Sequence, residues 1–352
     1  MIDRSHGGTC PQKNIIDFSV NINPLGLPKG VTDRISDYRD CVLRYPDPSS
    51  ERLKRRLAAR HAVSPENVVI GNGSIELIHL IPRALKIKKA LIAVPSFSEY
   101  EYAFKVNGST VSFFKTSELE EFRLDIDAIS ARIPRRGYLV ICNPNNPTGS
   151  LLSADEVMRL VRVCRKRDTV LISDEAFIDF TDAYRAEGVI AEAIHGRSLV
   201  ILRSLTKIFA MPGLRLGYAI AHKEAIGKMT QHQYPWNVNG LAQRIGEMVL
   251  DDERYMRLTR TFIAEERRFV TGGLRAINGL KVYPPSANFV LCKLHSSTLH
   301  DSKELARRMS RDGICIRTCG NFRGLDERFF RVAIRNRRDN ERLLNALGRA
   351  VR

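Results

Sequence analysis

The chain reads as an α/β protein: a large domain whose mostly parallel sheet lies between helices, followed by a small α+β domain. Three observations predict this. From Val68 to Ala221, short apolar runs alternate with helical patterns. Those runs are continuously apolar, as strands covered on both faces require. Near Arg257 the rhythm changes to one long basic helix and then several closely spaced strands, which marks a second unit. The division this suggests is 1–40, 41–256 and 257–352.

In chain order, Val68-Val69-Ile70 is a strand that leads through Gly71-Asn72-Gly73-Ser74 into a helix starting near Ile75. Ala90 to Val94 is a strand, followed by a helix over Glu99 to Lys105. Tyr138 to Cys142 is a strand that ends in Asn143-Pro144-Asn145-Asn146-Pro147-Thr148-Gly149, a loop by its Pro and Asn content. Ser153-Ala154-Asp155-Glu156 is a capping box for a helix running to Lys166. Val170 to Ser173 ends at Asp174, and Leu199–Leu202 and Leu216–Ala221 complete the series. Beyond it come a helix from about Arg257 to Ile277, strands at Lys281–Tyr283, Phe289–Leu291, Ile314–Ile316 and Phe330–Ile334, a helix near Ser302–Ser310, and a last helix after Asn336. Open parallel sheets bind ligands beyond the carboxyl ends of their strands. Ser74, Asn146, Asp174 and Ser204 all lie just past such ends.

Composition narrows the function classes. At 352 residues and 43% apolar content the chain is long enough for two cores. No apolar run approaches the ~20 residues of a membrane span, and the start, Met1-Ile2-Asp3-Arg4-Ser5-His6, has no apolar signal core. A cytoplasmic protein is expected. Its seven cysteines are scattered without a C-x-x-C pair, which predicts free thiols and no metal site. The net charge of +17 is spread over helix faces such as Arg159-Leu160-Val161-Arg162-Val163. It reads as solvated surface with some attraction for anionic substrates, and no nucleic-acid or membrane partner is expected.

The densest chemistry lies in Ser204-Leu205-Thr206-Lys207-Ile208-Phe209-Ala210-Met211-Pro212-Gly213-Leu214-Arg215-Leu216-Gly217-Tyr218. A lysine just past a strand end suits an amine that condenses with a bound aldehyde. Ser204 and Arg215 are the hydroxyl and fixed cation that hold a phosphate. This run resembles the cofactor-lysine motif of the class I/II aminotransferase family, fold-type I, which uses pyridoxal 5'-phosphate (PLP).

The resemblance extends over nearly the whole chain and implies a set of roles. Gly73, Ser74 and Ile75 open a helix whose amides suit the cofactor phosphate, with Ser204, Thr206 and Arg215. Phe97 would stack on the ring, Asn146 would meet the ring hydroxyl, and Asp174 would hold the ring nitrogen protonated. Lys207 and Asp174 are the catalytic pair. Tyr45 would reach the cofactor phosphate of a second subunit, so a homodimer is implied, and the N-terminal segment, 1–40, would pack on the small domain. Phe177 stands where many members carry Tyr, which leaves Asn146 as the main partner of the ring oxygen.

Two arginines suggest a substrate with two separated anions. By resemblance Arg331 takes a carboxylate and Arg317 a phosphate. His6-Gly7-Gly8, Asp17 to Gly26, Asp174 to Phe180 and Gly320-Asn321-Phe322-Arg323-Gly324-Leu325 resemble the branch of the family that decarboxylates O-phospho-L-threonine to 1-amino-2-propanol phosphate for cobalamin synthesis. Thr9 stands where that branch often has Asn. The implied substrate contacts are His6, Gly7, Asn23, Gly26, Asn146, Arg317 and Arg331, for a small phosphorylated amino acid. Transamination, as in histidinol-phosphate or other aminotransferases, and decarboxylation of phosphoserine are the alternatives, with a non-enzyme PLP-fold regulator as the rival from another class.

Overall fold

The computed structural model describes residues 7–8, 15–182, 187–295, 299 and 301–351. Its main sheet has seven strands, in the spatial order Val68–Asn72, Leu216–Ala221, Leu199–Ser204, Val170–Asp174, Tyr138–Cys142, Lys89–Val94 and Thr110–Lys115. The last five pair in parallel, whereas Leu216–Ala221 runs antiparallel to both its neighbours. Thr110–Lys115 is not apparent from sequence. Its burial alternates at a sheet edge, so it lacks the continuous apolar run that betrays the inner strands.

The inner strands feed two apolar layers. Leu199 and Ile201 pack with Leu139, Ile141 and Leu171 on one face, where Val157, Leu160 and Val161 of the helix Ala154–Lys166 cover them. Val200 and Leu202 pack with Tyr138, Val140 and Ile172 on the other, against Leu77 and Ile81 of Ser74–Leu85 and Phe104 of Glu99–Val106. This period of two decides where the chemistry points. Asp174 and Ser204 follow Ile172 and Leu202 to one face, and Glu175 and Arg203 go to the other. There Arg203, 2% exposed, pairs with Glu175 at 2.6 Å. The Ser153 capping box forms as expected, with Ser153 N donating to Glu156 at 2.8 Å and Glu156 N to Ser153 Oγ at 3.2 Å.

A second, antiparallel sheet has the order Arg317–Thr318, Phe329–Ala333, Phe289–Leu294, Leu280–Val282. The expected strand Ile314–Ile316 is divided between two partners. Ile314–Cys315 pairs in parallel with Ile16–Asp17, and Arg317–Thr318 pairs with Phe329–Ala333. The N-terminal segment is stitched in further by Phe18 N donating to Cys315 O and Ala333 N to Phe18 O, both at 2.8 Å. Cys315 is disulfide-bonded, which corrects the expectation of free thiols throughout. Cys41, Cys142, Cys164, Cys292 and Cys319 are free. Among the described residues no helix is long and apolar enough to cross a membrane.

Ionic contacts join the two sheets' surroundings. Lys293, 5% exposed, donates to Glu118 at 2.7 Å, and Tyr283 donates to the same carboxylate at 2.8 Å. Partial burial works to raise the Glu118 pKa, but the hydrogen bonds from Lys293 and Tyr283 outweigh it and hold it low.

Candidate active site

Between the two sheets lies a cavity of about 330 Å³, lined by residues from three parts of the chain. Its floor is the carboxyl end of the main sheet. Strand register sets Cys142 beside Asp174 and Ser204 beside Gly217. Lys207 follows on the single helical turn Leu205–Ile208. Burial, with the nearby charges of Arg215 and Arg331, draws the Lys207 pKa down to about 8. The neutral amine that nucleophilic chemistry requires is therefore about a tenth of the total at pH 7, far more than for an ordinary lysine.

Asp174 is 3% exposed. Tyr100 Oη donates to its Oδ2 at 2.7 Å and the Ala176 amide to its Oδ1 at 3.0 Å. Burial pushes this carboxyl up, against those two hydrogen bonds and the Lys207 charge. A buried anion so placed needs a cation. Ser204 Oγ and Thr206 Oγ1 lie 2.8 Å apart, and Arg215 lines the same end. The backbone there must be bare. A Cβ on Gly217 would meet Ser74 N at 2.4 Å, and one on Gly73, at φ +77°, would meet Arg215 Nη2 at 2.6 Å. Asn143 ties the loop to Leu152, accepting from its amide at 2.8 Å, and the loop brings Asn146 to the cavity wall.

The opposite wall belongs to the second sheet and the N-terminal segment. Arg317 and Arg331 face each other directly in antiparallel register. Arg331, 5% exposed, donates through Nη1 to Asn146 Oδ1 and through Nη2 to Ser19 O at 2.9 Å. Burial and the Arg317 charge lower its pKa, to about 10. Arg317 donates to Asn321 Oδ1 at 2.9 Å and sits 5.3 Å over the Phe322 ring. Gly7 completes this wall. A Cβ there would strike Ser19 O at 2.3 Å, so only glycine lets the segment pass so close. Arg331 Nε and Asn21 Oδ1 are buried without a hydrogen-bond partner among the described residues.

Of the site residues expected from sequence, the structure gathers Gly7, Gly73, Ser74, Ile75, Phe97, Asn146, Asp174, Ser204, Thr206, Lys207, Arg215, Arg317 and Arg331 around this cavity. His6 lies outside the described residues. Asn23 and Gly26 are not brought to the cavity. The Asn23 side chain turns inward to Ile208 O at 2.7 Å and Thr259 Oγ1 at 2.8 Å, bracing the Lys207 turn from behind. Gly26 offers its carbonyl to Tyr255 Oη at 2.6 Å. Tyr45 is 86% exposed, beside Trp236 at 5.2 Å, and does not reach the cavity of its own chain. Tyr100, Ser19 and Asn21 are not apparent as site residues from sequence. For Tyr100 the available signal was its place three residues after Phe97, where the two rings meet edge to face at 5.7 Å.

These donors fit PLP. Hydroxyls, a guanidinium and a helix start suit its phosphate, a buried carboxylate its ring nitrogen, an amide its ring hydroxyl, and a lysine of lowered pKa its aldehyde. The family model described as aminotransferase class I and II matches residues 13–347. The threonine-phosphate decarboxylase of Salmonella typhimurium is 36% identical, covering 99% of this chain and 96% of that protein. The histidinol-phosphate aminotransferase structure from Clostridium acetobutylicum has a TM-score of 0.86 at 34% identity, covering 95% of this chain and 98% of that one. The L-threonine-O-3-phosphate decarboxylase structure from Porphyromonas gingivalis has a TM-score of 0.84 at 27% identity, again covering 95% and 98%.

Proposed function

This chain belongs to the aminotransferase class I and II family of PLP-dependent enzymes, and from that premise we propose that it decarboxylates O-phospho-L-threonine, giving 1-amino-2-propanol phosphate for cobalamin synthesis. One observation carries the reading: Arg317 and Arg331 stand directly opposite each other, facing a cavity that also holds Lys207. Like charges in that register repel, and a substrate with two anions relieves the repulsion.

The cofactor, when bound, supplies an electron-withdrawing ring that draws charge from the substrate's α-carbon. The protein's groups do the rest. Asp174 keeps a negative charge where the ring nitrogen must stay protonated. Arg331, with Nε unpartnered among the described residues, takes the carboxylate, and Arg317 with the backbone at Gly7 takes the phosphate. When CO2 leaves, a proton must replace it on the same carbon. Lys207, with its pKa near 8, can hold and release that proton around neutral pH. Burial by the second sheet and the N-terminal segment keeps water from competing. A second copy of the chain would meet exposed Val42, Leu43, Tyr45 and Trp236 and complete the site with Tyr45.

A second reading, transamination of histidinol phosphate, is favoured by the likeness to the Clostridium structure. One assay separates them. Incubation with O-phospho-L-threonine and no keto acid should give sustained turnover with stoichiometric CO2. A single half-reaction that stalls, and restarts only with 2-oxoglutarate, overturns decarboxylation in favour of transamination.

A further inference from the structure

Beside the cavity lies a second chamber of about 640 Å³, and the two share Phe97 and Phe322 in their walls. Phe97 is on the large-sheet side. Phe322, 6% exposed, comes from the loop that follows Arg317–Thr318. The loop is held on both sides of this ring. Before it, Asn321 accepts from Arg317 at 2.9 Å. After it, Arg323 forms a forked pair with Glu101 at 3.0 to 3.2 Å and lies 4.1 Å over the Phe113 ring. Phe322 N also donates to Cys319 O, and Leu325 N to Phe322 O, both at 3.0 Å. The loop that carries this ring cannot swing aside without breaking charge-assisted hydrogen bonds.

We infer that Phe322 is a specificity-determining residue, the partition that limits how long or bulky the substrate's phosphate-bearing side chain can be. The inference rests on the proposed phosphorylated amino-acid substrate and deepens it. On one side the ring lies under Arg317, at the phosphate end of the cavity. On the other is open volume whose wall carries Lys105 and Arg323, both paired with Glu101, so two cations share one carboxylate there. A short spacer between the amino-acid carbon and the phosphate fits in front of the ring. A longer one must displace it. Removing the ring joins the chambers and admits the longer spacer, with cations still on the far wall.

The test compares wild type, Phe322→Leu and Phe322→Ala as cofactor-loaded proteins, mixed rapidly with O-phospho-L-threonine or O-phospho-L-tyrosine. The early change in cofactor absorbance reads occupancy before turnover. The affinity ratio between the two ligands reads size only where the O-phospho-L-tyrosine affinity itself rises, because loosening of Arg317 weakens the shorter ligand alone. The ratio should shift toward O-phospho-L-tyrosine by roughly tenfold or more in Phe322→Ala, the scale at which pocket shape discriminates, and by a smaller step in Phe322→Leu. If Phe322→Ala does not fold, Phe322→Leu carries the test, and its ratio must still move in that direction. An unchanged ratio in folded, cofactor-loaded variants overturns the inference. If wild type ignores O-phospho-L-threonine, the functional reading fails separately. The partition is then read from the gain in O-phospho-L-tyrosine occupancy alone, and no gain overturns it.

Discussion

On the large-sheet side of the cavity the polar groups largely answer one another. Tyr100 donates to Asp174, the Ala176 amide takes the other oxygen, and Ser204 meets Thr206. On the facing wall, Arg317 and Arg331 are set against each other, and Arg331 Nε and Asn21 Oδ1 have no partner among the described residues. The first side is organised before any ligand arrives, as a resident group needs. The second sets two like charges face to face and holds a buried donor and a buried acceptor without partners among the described residues, whose cost falls when a ligand fills them. Floor substitutions should therefore act on cofactor state and turnover, and wall substitutions on substrate affinity and choice.

The largest effect expected is on the floor. Asp174→Ala should lower kcat by about a thousandfold, equivalent to about 4 kcal/mol, with a far smaller loss of cofactor occupancy measured by absorbance. Near-normal turnover would break the division of labour. On the wall, Arg317→Ala should reduce the preference for phosphothreonine over threonine by about 10- to 100-fold, the scale of a lost hydrogen bond to a charged group. The ratio of kcat/KM values measures this, and an unchanged ratio contradicts the phosphate assignment. For Lys207 the sign follows from its lowered pKa. The neutral amine that reacts is the minor form below pH 8 and the major form above it. The rate at which cofactor-free protein takes up PLP should rise about tenfold from pH 7 to pH 9, and a flat profile would show an amine already neutral. The smallest effect belongs to Tyr100→Phe. It removes about 1 kcal/mol of support from the Asp174 anion, so kcat should fall about fivefold and the pH profile of cofactor absorbance should move. Loss of thermal stability alone would mean that Tyr100 only packs.

The same contrast explains what the sequence reveals. Lys207, Thr206, Ser204 and Arg215 lie within one short run, and Asp174 closes a continuous apolar strand, so local pattern exposes them. Tyr100 acts on Asp174 from 74 positions away, and a tyrosine on an amphipathic helix reads as core. Arg317 and Arg331 are visible as residues, but their face-to-face register depends on how Arg317–Thr318 folds back against Phe329–Ala333. Leu216–Ala221 reads as one more apolar strand, and nothing in its composition gives its antiparallel direction. Asn23 and Gly26 fall in a recognisable motif, yet the chain passes behind Lys207 there, so their polar groups serve the backbone and Tyr255.

The contact between Arg331 and Ser19 spans 312 positions, and Ile16–Asp17 waits on Ile314–Cys315 for its strand partner. During synthesis at about 5–20 residues per second, the N-terminal segment must therefore trail without these partners for roughly 15–60 s after leaving the ribosome. The main sheet can be complete by then, because its last strand ends at Ala221. A nascent chain stopped short of Arg331 would carry a finished floor and no substrate wall, so binding competence waits until Phe329–Ala333 has emerged.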